Sequence, residues 1–240
     1  QSNIENFKES FIPIVLWCGC ICGLIALSNL STAMILFSTC LLLMFIGRVP
    51  MKYLAMLLVV GIFAGTVALL VGQRLGTAIN RMDNFFNAKE IPFQAEQSYI
   101  ALATGGVFGK GPGNSEQRNF LPHSYSDFIY SIIVEEYGFI GGLFIVFLYL
   151  ALLYRGMKTV SKSERAYGGL LSAGLSFSLV IQAMINMGVA VGLGPITGQP
   201  LPLLSMGGTS LLFTGLSLGI ILSVSRGDIS ELPNEYSKNV

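Results

Sequence analysis

A single aspartate, Asp127, stands between a polar loop and a long apolar run in the stretch LPHSYSDFIYSIIVEEYG, residues 121–138. A carboxylate at a membrane–water boundary can accept a proton from a substrate hydroxyl. Ser124-x-x-Asp127 also fits a helix capping box, and the helix macrodipole favours an acid in a first turn. A carboxylate stabilised in that way is a weak base, so catalysis would need desolvation or a metal ion beside it. The residues alone leave both roles open, cap and base.

The other titratable residues of this stretch give weaker signals. Glu135 and Glu136 lie one or two turns into the apolar run. They are expected on a solvated helix edge, and only a buried position would make them anchors or part of a polar path. The single histidine, His123, cannot hold a metal alone, and an exposed loop position is favoured for it over a catalytic one.

Glycine is concentrated in GGVFGKGPGN, residues 105–114, just before that stretch. A phosphate-binding loop of the Walker type would need glycine at Thr104 and serine or threonine at Gly111, so this pattern fails. One interpretation is a tight turn that uses glycine for backbone freedom. The other places Lys110 and Arg118 as cations facing the phosphate of a lipid headgroup.

A third unusual stretch is GPITGQPLPLLSMGGTSLL, residues 194–212. Its prolines break any helix, and Gly207 and Gly208 allow close backbone approach. Irregular backbone at membrane depth persists only where protein or a water-filled cavity satisfies its polar groups. An ordinary interhelical loop and the rigid wall of a cavity both fit this pattern.

Composition places these stretches in a membrane. Of the 240 residues, 52% are hydrophobic and only 11% are charged, and residues 166–225 contain no Asp, Glu, Lys or Arg. The mean hydropathy is +0.67. A soluble domain would carry roughly 25% charged residues. The net charge of +1 argues against a nucleic-acid partner. The four cysteines lie in apolar segments without zinc-site spacing, so a packing role is expected for them.

Cutting the sequence at its charges and turn residues predicts an all-α polytopic bundle of six membrane helices in one membrane domain. The segments are Phe11 to Ser28, Ser31 to Ile46, Tyr53 to Val71, Ile132 to Tyr154, Tyr167 to Gly192, and Thr209 to Val224.

Basic residues set the predicted orientation of these helices. Arg48 and Lys52 mark one short loop, and Arg155, Lys158, Lys162 and Arg165 mark another, which predicts that both loops are cytoplasmic. Residues 72–130 then form a large extracytoplasmic loop, ordered against the membrane surface, and residues 227–240 form a cytoplasmic tail. Both chain ends are expected in the cytoplasm. Because the first residue is Gln1, the chain is also expected to be a fragment of a longer protein.

Two stretches resemble a known family. Residues 195–226, PITGQPLPLLSMGGTSLLFTGLSLGIILSVSR, are similar to the C-terminal signature of the SEDS family (shape, elongation, division and sporulation), which includes FtsW, RodA and SpoVE. The family's large extracytoplasmic loop resembles QSYIALATGGVFGKGPGNSEQRNFLPHSYSDFIYSIIVEEYGFIGG, residues 97–142. Family members have ten membrane helices, so the resemblance implies that this chain holds the last six.

The resemblance implies a peptidoglycan glycosyltransferase of the bacterial inner membrane that polymerises lipid II with a class B penicillin-binding protein and other divisome or elongasome proteins. The family's essential loop aspartate falls on Asp127, as a base or as a ligand for Mg²⁺ or Mn²⁺. His123 and Tyr125 replace the Glu and His usual beside it, and Asn29 replaces an acid near the first helices. The predicted substrate-binding residues are Lys110, Arg118, Ser126, Gly207, Gly208 and Ser210.

Two other roles compete with polymerisation. A flippase for the lipid-linked precursor would need ionisable residues in a path between helices, and these six segments contain almost none. A scaffold of the division complex with a decayed site is the other alternative, and the presence of Asp127 argues against it. Between the division and elongation branches, the sequence leans weakly towards the FtsW type.

Overall fold

The computed structural model describes residues 11–71, 75–87, 91–121, 125–163 and 166–226. Within these ranges the chain forms eight α-helices and a short 3-10 helix, Gln117–Asn119. The α-helices are α1 Ile12–Ser28, α2 Leu30–Ile46, α3 Met51–Val71, α4 Leu75–Asn87, α5 Phe93–Gly105, α6 Ile129–Lys162, α7 Ala166–Ala190 and α8 Gly208–Arg226.

Six of these helices coincide with the six predicted apolar segments. Three contain stretches long and apolar enough to cross a membrane, namely Ile129–Val160, Ala166–Ala190 and Gly208–Arg226. Shorter apolar helices cover Ile12–Ser28, Leu30–Ile46 and Met51–Val67. The prediction of an all-α polytopic membrane bundle is therefore confirmed.

The region expected to be a large ordered loop contains two helices of its own. One of them, α4, is amphipathic, and its apolar face includes the exposed side chains of Ile79, Met82 and Phe86 at helical spacing. The other, α5, packs against α6 and also contacts α7. The glycine-rich turn that follows α5 leads to the 3-10 helix, which lies back against α5.

Asn29 both ends α1 and begins α2. Its extended backbone, φ −149° and ψ 99°, breaks the helical path, and its N–H donates to Ile25 O at 2.7 Å. Its side-chain Oδ1 accepts a hydrogen bond from Thr32 N at 3.3 Å, as an N-cap does. The residue that replaces the family's acid therefore has a structural role as a cap between two helices.

The main core lies between α6 and α7, which make the most extensive helix contact in the described chain. Gly156 packs directly on Ser176, because a Cβ atom at position 156 would overlap the serine side chain. The buried residues of this core are Tyr130, Val134, Tyr149, Val180, Ala183, Met187, Ala190 and Leu201. Leu201 belongs to the irregular segment between α7 and α8, so this segment is part of the core.

Candidate active site

Asp127 lies in the turn that leads into α6. The helix begins at Ile129, its N-cap is Phe128, and no side chain caps its end. Asp127 therefore precedes the first helical turn, and the capping-box interpretation is wrong about where the helix starts. Ser124, the first member of the supposed box, lies outside the described residues, as does His123.

Three consecutive carbonyl groups around Asp127 are each held by a different donor. Met206 N donates to Tyr125 O at 2.8 Å, Ser205 Oγ donates to Ser126 O at 2.6 Å, and Asn186 Nδ2 donates to Asp127 O at 2.7 Å. Two of these donors come from the irregular segment 191–207, and the third comes from α7. The two stretches that the sequence singled out separately therefore form one rigid unit.

The donors are themselves tied to the rest of the bundle. Ser205 Oγ also accepts from Leu201 N at 2.6 Å, and Asn186 Nδ2 also donates to Gln199 O at 2.6 Å. The Gln199 side chain then donates to Thr32 Oγ1 of α2 at 2.9 Å. This chain of hydrogen bonds connects the Asp127 turn, the irregular segment and α2, so the backbone on both sides of the aspartate is fixed.

The Asp127 carboxylate is partly exposed. Ser126 Oγ donates to its Oδ1 at 2.8 Å. Its Oδ2 faces Gly198, where a Cβ atom would lie 3.7 Å away. Gly198 also has a φ of +67°, which only glycine adopts readily. A fixed backbone with an accessible carboxylate is the arrangement that a general base or a metal ligand requires.

The predicted cation Arg118 lies at the same turn. Its Nε donates to Tyr125 Oη at 2.9 Å, and the guanidinium carbon lies 5.1 Å from the centroid of the tyrosine ring. This hydrogen bond raises the pKa of Arg118 above its already high ordinary value, so the side chain stays cationic. Tyr125, which departs from the family pattern and lies two residues before Asp127, thus positions Arg118 at the Asp127 turn.

The other predicted cation, Lys110, has a different environment. Its Nζ lies 2.8 Å from Glu135 Oε1 and 3.4 Å from Glu116 Oε1. Hydrogen bonding to Glu135 raises the pKa of Lys110 above its usual value, while partial desolvation opposes the rise. About 24% of the lysine side chain remains exposed. Substrate binding by Lys110 stays a prediction, and any anion there would compete with two carboxylates.

Glu135 is fully buried, so the expectation of a solvated helix edge is wrong for it, whereas Glu136 is only half-buried. Ser115 Oγ donates to Glu135 Oε2 at 2.5 Å, and the N–H groups of Glu116 and Gln117 donate to the same carboxylate at 3.3 Å. A carboxylate inside the bundle is tolerated because donors surround it. Glu135 therefore anchors the loop and its 3-10 helix to α6.

The glycine-rich stretch forms a tight turn that packs against a kink in α6. Gly138 interrupts α6 with φ 73° and ψ −174°, and its neighbour Phe139 donates its N–H to Gly106 O at 2.9 Å. Lys110 N and Gly111 N donate to the carbonyls of Glu135 and Glu136, both at 2.9 Å. A Cβ atom at Gly105, Gly109 or Gly138 would overlap backbone atoms of the segment that faces it. The structure thus shows the tight turn, and contact of Lys110 or Arg118 with a phosphate stays a prediction.

The remaining predicted binding residues lie at the start of α8. Gly207 accepts from Leu211 N at 2.9 Å, and Gly208 is the first helical residue. Ser210 O accepts from Thr214 Oγ1 at 2.7 Å. The Met206 hydrogen bond to Tyr125 brings this end of α8 to the Asp127 turn. Their contact with a substrate stays a prediction.

A cleft of about 310 Å³ opens beside the segment 191–207. It lies between α4, α5 and the residues that follow α7. Arg81 Nη1 donates to Ile196 O at 3.1 Å, two residues before Gly198. The other walls of the cleft are mainly apolar and include Phe85, Tyr99, Val189 and Pro195. Apolar walls with a guanidinium at the edge suit a lipid that carries an anionic headgroup.

Three polar residues with no predicted role of their own hold the Asp127 turn and the segment 191–207 together. Asn186, Ser205 and Gln199 are at most 5% exposed. Asn186 was recognisable in principle, because a buried amide in an otherwise apolar helix has to find hydrogen-bond partners. Its partner, a carbonyl 59 residues earlier in the chain, could not be identified from spacing.

The fold and the site define a polytopic helical membrane protein. Its Asp127 lies just before α6, and the carbonyls around it accept hydrogen bonds from α7 and from the segment 191–207. The chain belongs to the FtsW/RodA/SpoVE family of cell cycle proteins, which it matches over residues 1–229.

Two relatives from Bacillus subtilis show how far the similarity extends. Stage V sporulation protein E is 35% identical over 232 residues, which cover 94% of this chain and 63% of that protein. The probable peptidoglycan glycosyltransferase FtsW is 36% identical over 237 residues, which cover 94% of this chain and 59% of that protein. The chain thus spans about three fifths of the length of these relatives.

Solved structures share the fold. A chain of a peptidoglycan synthase complex, described as coordinating polymerization and crosslinking, aligns over 94% of this chain and 64% of its own length, with 26% identity and a TM-score of 0.69. The rod shape determining protein RodA of Thermus thermophilus aligns over 94% of this chain and 60% of its own length, with 25% identity and a TM-score of 0.55.

Proposed function

We propose that the full-length protein polymerises lipid II into peptidoglycan glycan strands, with Asp127 as the general base. The main support for this proposal is the set of hydrogen bonds to the carbonyls of Tyr125, Ser126 and Asp127. These bonds fix the backbone at Asp127 while its carboxylate stays accessible. The name of the Bacillus subtilis FtsW relative supports the reaction class.

In the proposed step, a sugar hydroxyl of the acceptor attacks the anomeric carbon of the lipid-linked donor. The new glycosidic C–O bond forms as the C–O bond to the pyrophosphate breaks, and undecaprenyl pyrophosphate leaves with that electron pair. Asp127 takes the hydroxyl proton. Arg118, held at the same turn by Tyr125, would bind the negatively charged pyrophosphate through charge-assisted hydrogen bonds.

A divalent cation would bind at this site only if the substrate supplied part of its coordination. In the described residues no group of three or more His, Cys, Asp and Glu side chains could hold a metal. Mg²⁺ is commonly bound by one or two carboxylates together with substrate phosphates, so Asp127 and the pyrophosphate could share it. A bound cation would neutralise negative charge on the leaving group. Loss of polymerisation in a chelator, and its recovery with Mg²⁺ or Mn²⁺, would support this part of the proposal.

We place the reaction at the outer face of the inner membrane, with a class B penicillin-binding protein as partner. The basic short loops support this orientation, because they place the Asp127 turn on the opposite side from Arg155 and Lys158. The structural likeness to a chain of a peptidoglycan synthase complex supports the partner.

Transport of the precursor has less support. Among the Asp, Glu, Lys and Arg side chains whose exposure the structure describes, only Glu135 is buried, and it is neutralised by Lys110 at the loop end of α6. A transport path would need ionisable groups further along the helices.

The decisive experiment supplies lipid II to the purified full-length protein with its cognate partner. Wild type, Asp127→Ala and Glu96→Ala would be compared for glycan polymer on gels. Glu96 is an exposed carboxylate in the first turn of α5, outside both the Asp127 turn and the segment 191–207. Its variant therefore serves as a matched control. We expect polymer from wild type and Glu96→Ala only. Equal polymer from Asp127→Ala would refute the proposed role of Asp127.

A further inference from the structure

One buried amide on α7 connects the two halves of the candidate site. Asn186 is 3% exposed, and its Nδ2 donates at 2.7 Å to Asp127 O and at 2.6 Å to Gln199 O. The first carbonyl belongs to the proposed base. The second lies one residue after Gly198, whose Cα faces the Asp127 carboxylate. A single side chain thus sets the distance between the base and the segment opposite it.

The orientation of this amide is determined by its surroundings. Both atoms close to Nδ2 are carbonyl oxygens, which only accept hydrogen bonds, so the nitrogen has to face them. The Oδ1 atom is buried, and it has no hydrogen-bond partner among the residues that the structure describes. A buried acceptor without a partner is unfavourable. The amide therefore serves the two carbonyls that it joins, at the cost of one unpaired acceptor.

We propose that Asn186 is a positioning residue for the polymerisation reaction, acting through the main chain of Asp127. This inference rests on the proposed function. Hydrogen bonds to main-chain carbonyls leave the Asp127 carboxylate available while fixing the direction in which it points. Reaction rates respond to displacements of about 1 Å between reacting groups, so loss of the amide lowers kcat more than it weakens substrate binding.

The experiment compares Asn186→Ala and Asn186→Asp with Ser176→Ala in the full-length protein and its partner. Ser176 is also buried on α7, and its Oγ lacks a partner in the described chain. It lies ten residues from Asn186, roughly 15 Å along the helix. Removing its hydroxyl therefore changes a buried polar group on the same helix far from the Asp127 turn.

We expect Asn186→Ala to lower kcat about tenfold or more, with KM for lipid II within about twofold. Its Tm falls below that of Ser176→Ala because two carbonyls lose their donor, so kcat is measured well below the Tm of both variants. Asn186→Asp has the same shape but presents carboxylate oxygens to two carbonyls, so its kcat is also low at neutral pH. On acidification its protonated carboxyl can donate one hydrogen bond again. The ratio of its kcat to that of wild type then rises as pH falls, which a purely structural defect does not produce.

The possible results test the positioning role of Asn186 separately from the proposed function of Asp127. A kcat for Asn186→Ala equal to that of Ser176→Ala overturns the positioning role, and so does a rate loss that only follows a fall in Tm or a rise in KM. If Asn186→Ala does not fold, the Asp variant is judged by the same criteria and by its pH dependence. Full activity of Asp127→Ala would instead overturn the proposed function, whatever the Asn186 variants do.

Discussion

The ammonium nitrogen of Lys110 lies 2.8 Å from a carboxylate oxygen of Glu135, whose side chain is completely buried. The lysine belongs to the glycine-rich turn after α5, and the glutamate belongs to the first part of α6. Ser115 and two backbone N–H groups bind the same carboxylate from the 3-10 turn. The Glu135 carboxylate therefore joins the glycine-rich turn and the start of the 3-10 helix to α6.

Glu135→Gln should destabilise the protein. The change removes the negative charge that faces Lys110 and replaces one acceptor oxygen with an amide donor pointing at other donors. We expect a loss of about 3 kcal/mol in the free energy of unfolding, the low end for breaking a buried ion pair, because part of Lys110 stays in water. Unfolding of the purified protein in detergent measures it. The control is Glu136→Gln at the half-buried neighbour, expected to change stability by about 0.5 kcal/mol or less. Equal losses from both variants would contradict the anchoring role of Glu135.

The same ion pair makes stability depend on alkaline pH. The pKa of Lys110 is raised in the folded protein, chiefly by its hydrogen bond to Glu135. Its contribution is therefore fully present below the unfolded-state pKa of about 10.4 and is lost as pH rises through the higher folded pKa. We expect wild type to lose more stability than Lys110→Met when unfolding is followed from pH 9 to pH 11. Parallel curves for the two proteins would contradict the pair.

Gly138→Ala should disrupt the kink in α6. A methyl group there would overlap the backbone of Val107, and a φ of 73° with a ψ of −174° lies in a region almost restricted to glycine, at a cost of about 1–3 kcal/mol for alanine. We expect a loss of stability larger than this conformational cost alone. Gly65→Ala is the matched control, since a Cβ at this helical position meets no atom within 4 Å. That variant should be neutral or stabilised by up to about 1 kcal/mol. A stable Gly138→Ala protein would show that the close approach of the loop is not required.

Much of the fold could be predicted from the sequence because a membrane imposes one strong pattern. Uninterrupted apolar runs can satisfy their backbone groups only as helices, so all six predicted segments appear in the structure. The helices α4 and α5 were missed, since their amphipathic or mixed sequences give no such run. The helix α6 also begins at Ile129, three residues before the predicted Ile132, because Ile129 and Tyr130 continue the apolar run behind the polar loop.

The candidate site was only partly predictable. Asp127 attracts notice from its place before an apolar run, and the glycines from their density. The burial of Glu135 could not be foreseen, because it depends on donors 18–25 residues away along the chain. The same holds for Asn186, Ser205 and Gln199, whose partners are fixed by helix packing. Local sequence therefore indicates which residues are unusual, and tertiary structure decides which of them meet.

Arg118 and Tyr125 allow the predicted pyrophosphate contact to be tested apart from loop structure. Tyr125→Phe removes the hydroxyl that Arg118 Nε contacts at 2.9 Å, but it keeps the ring beneath the guanidinium. We expect this variant to stay within about threefold of wild type in kcat and KM. Arg118→Ala should raise KM for lipid II about tenfold or more, since charge-assisted hydrogen bonds to an anion are stronger than neutral ones. Arg118→Lys keeps the positive charge but lacks the planar guanidinium. Its KM for lipid II should lie between those of Tyr125→Phe and Arg118→Ala. If KM is unchanged in Arg118→Ala, Arg118 does not bind the pyrophosphate, and its contact with Tyr125 only shapes the loop.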